Sequence, residues 1–74
     1  MKDKTLVIIS HKKHELNPST GKVRVHGGFF PITNEIATHF ERVLLCVPVA
    51  YHENVEDKKY ASNIEICPLP FYKS

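Results

Sequence analysis

"FPITNEIATHFERVLLCVPV", residues 30–49, reads as a helix handing over to a strand, and that reading decides the fold. Pro31 suits the first helical turn, where a missing N–H leaves no intrahelical bond unmade. Behind it, Ile32, Ile36, Ala37 and Phe40 recur at helical spacing on one face. Glu35, near the start, agrees in sign with the helix dipole. The spacing predicts a helix over 31–40. "VLLCVPV" at 43–49 is then apolar without alternation, the pattern of a strand buried on both faces.

Two further runs flank this pair. "TLVIIS" at 5–10 is a continuous β-branched stretch, and "NIEICPL" at 63–69 is a shorter one. Strand, helix, strand is a βαβ unit, whose crossover is right-handed. The expected sheet is parallel, with the three runs ordered 1-2-3 or with the first run central to further strands. The charged stretch "YHENVEDKKYAS" at 51–62 carries no apolar stripe and is expected to be a solvated connection.

Residues 11–30 are long for a plain loop. Asn17, Pro18, Ser19, Thr20 and Gly21 are turn formers, and "KVRVH" alternates behind them. A hairpin or flap after the first strand is therefore expected. Its place above the carboxyl end of that strand is where open α/β sheets bind ligands.

The chain has 74 residues, a net charge of +2 and 42% hydrophobic residues. One small domain is expected, 1–74, with roughly 40% of its surface left exposed on folding. The charge is too small for a nucleic-acid footprint, which shows as a clustered basic patch. No apolar run reaches ~18 residues and no basic-apolar-small leader is present, so no membrane span is expected and a cytoplasmic setting is the default. Cys46 and Cys67 lie in separate apolar runs and form no CxxC pair. They are expected to be buried, reduced thiols.

Gly27 and Gly28 stand directly before the helix. Either they let a phosphate or sugar approach the helix N-terminus, or one of them simply takes a positive φ in a turn. Of the five histidines, His11, His14 and His26 follow the first strand or precede the glycines. No spacing among them matches a metal site, so they are expected to be solvated loop residues. His26, beside the glycines, is the candidate for substrate binding or proton handling. Lys12 and Lys13 with His11 and His14 could meet an anion, though a solvated loop is the simpler reading. Of Phe29 and Phe30, one is expected to face a ligand and the other to staple the helix to the sheet. No complete catalytic set is present: there are no paired carboxylates, no Ser/His/Asp ordering and no Walker lysine.

Taken in order, these pieces resemble the beginning of a GT-B-type glycosyltransferase of the nucleotide-sugar-dependent families. The first strand ends in "ISH". "GKVRVHGGF" is similar to the glycine-bearing flap of such enzymes. "FPITNEIATHFERVLLCVPV" resembles their first helix and second strand, and "IEICPLPFY" resembles the third strand and its exit. The resemblance covers nearly the whole chain. It implies a partial Rossmann-like βαβ unit with a parallel sheet, the acceptor side of a two-domain fold that is incomplete here. It also implies transfer of a sugar from a nucleotide-sugar donor to an acceptor, with no further cofactor and no metal. The donor-binding domain, with its acidic E-x7-E element, is not among the 74 residues, so they are expected to be inactive alone. Carried over by position, the resemblance puts Gly27 and Gly28 at the cleft with His26 and Phe29 beside them, and leaves the catalytic residues unassigned. Peripheral membrane association is compatible with it. The competing expectation is a small α/β interaction module that meets a protein partner, or a second copy, through an exposed sheet edge.

Overall fold

The computed structural model describes residues 4–70. It holds a small α/β unit in which a mostly parallel, mixed sheet carries one helix. In chain order the elements are β1 (Thr5–Ile9), β2 (His14–Leu16), β3 (Val23–Arg24), α1 (Phe29–Ala37), β4 (Arg42–Tyr51) and β5 (Ile64–Leu69). The long strand β4 is the spine. β1 pairs with it in parallel from Thr5↔Arg42 to Ile9↔Cys46, and β5 pairs in parallel on the opposite edge from Val43↔Ile64 to Pro48↔Leu69. The three apolar runs thus lie in the order 1-2-3.

The expected hairpin is present, but it belongs to the sheet. β2 pairs in parallel with the end of β4, His14↔Val49 to Leu16↔Tyr51, and β3 pairs antiparallel with β2. Four residues lie between Ile9 and His14 while two lie between Cys46 and Val49, so the chain bulges between β1 and β2. Pro48 supplies a reason. Ser10 N donates to Cys46 O at 3.0 Å and His52 N to Leu16 O at 3.0 Å, so the even-numbered positions of β4 face this edge. Pro48 falls among them with no N–H to give, and the neighbouring strand loops out beside it. Pro68 in β5 is placed by the same alternation on the outer edge, where its missing donor leaves no ladder bond unmade.

One face of the sheet is covered and the other is not. Val43, Leu45, Val47 and Val49 of β4 are buried and point toward α1. Val23, Tyr60, Phe29, Phe30, Ile8, Leu16, Ile64 and Ile66 complete that core. Val55 and Tyr60 are buried too, so the 51–62 connection is not simply solvated: its two apolar anchors close the core beside the helix. On the other face the in-register rows read Val7–Leu44–Glu65, Ile9–Cys46–Cys67 and Pro48–Leu69. No described helix lies over them, and Ile9 is 75% exposed.

The helix begins earlier than the sequence spacing suggests. It starts at Phe29 after the N-cap Gly28, with Pro31 as its third residue, still within the turn that needs no intrahelical N–H. Its buried residues are Thr33 and Ala37. Phe29, Phe30, Thr33 and Ala37 therefore define the inner face, and Ile32, expected inside, is 61% exposed. The phenylalanines outweigh Ile32 in setting the helix's rotation, because each buries more apolar surface. At the far end, Asn63 Nδ2 donates to Ala37 O at 2.9 Å and Phe40 O at 3.1 Å. This side chain satisfies carbonyls that the helix leaves open and ties them to the start of β5.

Candidate functional site

The turn before α1 combines two different glycine conformations. Gly27 has φ +76°, in the left-handed region where a side chain is strained. Gly28 is the N-cap with φ −88°, and no side chain caps the helix. A Cβ on Gly28 would meet Ile32 Cδ1 at 3.8 Å, ordinary contact, so Gly28 is not required by backbone geometry. A Cβ on Gly27 would lie 3.8 Å from Lys12 Nζ. Lys12 comes from the bulge after β1, so a cation and a helix N-terminus meet at the carboxyl end of the first strand. Both favour negative charge.

His26 is exposed beside this turn. It lines a recess together with Lys13, His14, Glu15 and Arg24. Arg24 is held across the sheet by Glu15 at 3.1 Å and by Asp57 at 3.3 Å. Phe29 takes a different role from the other three candidates. It packs against the core and meets the His14 ring edge-on at 5.3 Å. Phe30 also packs inward, stacked on Tyr60 at 4.7 Å with Lys58 Nζ 5.5 Å above its ring. Both phenylalanines are partly buried and serve the helix–sheet contact, and Phe30 also lines a recess with Gly27, Pro31 and Lys58.

His14 is the residue that the sequence misplaces. Expected in a solvated loop, it is 0% exposed, in β2, between Phe29 and Tyr60. Nδ1 lies 2.9 Å from Lys12 O and so must carry the proton, because a carbonyl only accepts. In the neutral ring Nε2 then accepts from the Tyr60 hydroxyl at 2.8 Å. Burial holds the His14 pKa below its ordinary value; the Lys12 carbonyl pulls the other way, and the Lys12 charge adds to the depression. Burial likewise pushes the Tyr60 phenol up to about 12, against a smaller opposing contribution from the Thr33 hydroxyl. The pair is a neutral, satisfied clasp between hairpin and connection rather than a proton-transfer couple. Nothing in the local sequence marks this burial, since His14 directly follows two lysines.

Asn17 forms a second clasp. Its Oδ1 accepts from Ser19 N at 2.8 Å and Thr20 N at 3.3 Å, shaping the hairpin turn. Its Nδ2 donates to Glu53 O at 3.0 Å and Val55 O at 3.1 Å, holding the connection down. His11 is exposed and does not line the His26 recess. Among the described residues no three His, Cys, Asp or Glu side chains converge as metal ligands, and no helix is long and apolar enough to cross a membrane. No family model, curated protein or solved structure matches the chain.

Proposed function

We propose that this chain is the acceptor-side opening segment of a nucleotide-sugar-dependent glycosyltransferase, with the 26–28 turn facing the donor's diphosphate. The observation that carries the reading is the pairing of an uncapped helix N-terminus at Gly28 with Lys12 from the strand-end bulge. An anion there would gain backbone N–H donors, the helix dipole and a cation together. It lies at the carboxyl end of β1, where α/β sheets take their ligands. His26 is positioned to touch the sugar or acceptor, and Phe29 supports the turn from below. The chemistry of transfer belongs to residues outside these 74, so the segment alone binds without turning over.

The test is an amide-resolved NMR titration of the chain with a nucleoside diphosphate. Saturable shifts at Gly27, Gly28 and Phe29 at millimolar ligand are expected, with the hairpin turn at Gly21 unmoved. Shifts scattered over the lysines, or none at all, would overturn the reading.

The second reading, an interaction module, has one observation of its own. Among the described strands β1 pairs only with β4, and its Val7 and Ile9 are exposed. Concentration-dependent broadening along β1, in place of ligand shifts at the turn, would favour it.

A further inference from the structure

Cys46 and Cys67 are direct partners in the parallel β4–β5 register, so their side chains leave the same face of the sheet. That face is the one no described helix covers, and both thiols are free and partly exposed. We propose that these two cysteines form a chelating site for a soft, two-coordinate cation of the Cu(I) type.

The separation selects this chemistry. In-register side chains on neighbouring strands stand about one strand spacing apart, about 4.8 Å. Two metal–thiolate bonds of about 2.3 Å placed in line span about 4.6 Å, close to the strand spacing. Thiolates favour Cu(I), Zn and iron–sulfur clusters. Ions that need four ligands find only two here, since no described His, Asp or Glu joins the pair to make three.

The step balances without an oxidant. Each sulfur gives its proton to solvent and a lone pair to the metal, the copper stays Cu(I), and the bis-thiolate carries one net negative charge. Two charged groups on the same face bear on that charge, Arg42 and Glu65, which are paired at 2.6 Å. Burial holds the Cys67 pKa above its ordinary value, Cys46 and Glu65 push the same way, and Arg42 opposes them. Each thiol gives up its proton on binding, so binding strengthens as pH rises.

The experiment uses the reduced chain under anaerobic conditions, loaded with one equivalent of Cu(I) and challenged with excess glutathione. One copper per monomer is expected to survive gel filtration, with two protons released per copper in an unbuffered titration. Cys46→Ser and Cys67→Ser should each lose retention, by about 100-fold or more in competition, the usual gain from chelation over a single ligand. Circular dichroism checks that both variants fold. Should either fail to fold, the proton count on the wild-type chain decides alone. Retention by both folded variants, copper eluting only with dimers, loss of copper to glutathione from the wild type, or release of one proton would each overturn the proposal.

Discussion

His14 shows how one residue's environment sets its chemistry. A histidine in "HKKH" carries no mark of burial, since its neighbours are lysines and its apolar partners lie 15 and 46 positions away. Once inside, it can remain only if both ring nitrogens are satisfied, and Lys12 O and the Tyr60 hydroxyl do this. The linkage follows directly. Its pKa is depressed in the folded chain, so below about 6.5 the unfolded chain binds the proton first. Stability contributed by His14 is complete above that value and is lost as pH falls through the folded pKa. Urea midpoints measured from pH 7.5 to 5 should fall for the wild type, and His14→Leu should flatten part of that slope. A wild-type curve that superimposes on the variant's slope would mean His14 is solvated in solution.

At the scale of elements, the strands were legible as unbroken apolar runs. The burial on both faces that such runs suggest is not met, since Val7 and Ile9 are exposed on the open face. The three runs at 5–10, 43–49 and 63–69 coincide with β1, β4 and β5. The helix was legible in existence and not in rotation. Spacing alone placed Ile32, Ile36, Ala37 and Phe40 inside, yet Phe29 and Phe30 enter the helix and turn it so that Thr33 and Ala37 face the core. The difference is measurable. Ile32→Lys is expected to change stability by less than about 0.5 kcal/mol, as exposed sites do. Ala37→Leu, overfilling a position that is 1% exposed, should cost about 1–3 kcal/mol. Chemical denaturation of the two variants ranks them, and the reverse order would restore the rotation read from spacing.

Across the whole molecule, what the sequence concealed was long-range pairing. "KVRVH" announced a hairpin, but nothing local said that β2 would continue the line of β1 along β4 after a bulge. That bulge matters for the site, because it carries Lys12 to the glycine turn. Gly27 and Gly28 differ in what the backbone asks of them. Gly27 meets the backbone requirement with φ +76°, whereas Gly28 has φ −88° and room for a methyl group. Gly28→Ala is thus a clean probe of close ligand approach, since it adds a Cβ at the helix start without strain. The measurement is nucleoside-diphosphate affinity alongside thermal midpoint, for the wild type, Gly28→Ala and Gly21→Ala. Gly28→Ala should lose at least about tenfold in affinity, about 1.4 kcal/mol, at an unchanged midpoint. Gly21→Ala, at φ +80°, should melt earlier by about 1 kcal/mol and bind normally when folded. Unchanged affinity in Gly28→Ala, or a midpoint loss that accounts for its weaker binding, would make the turn a structural feature and remove the ligand site.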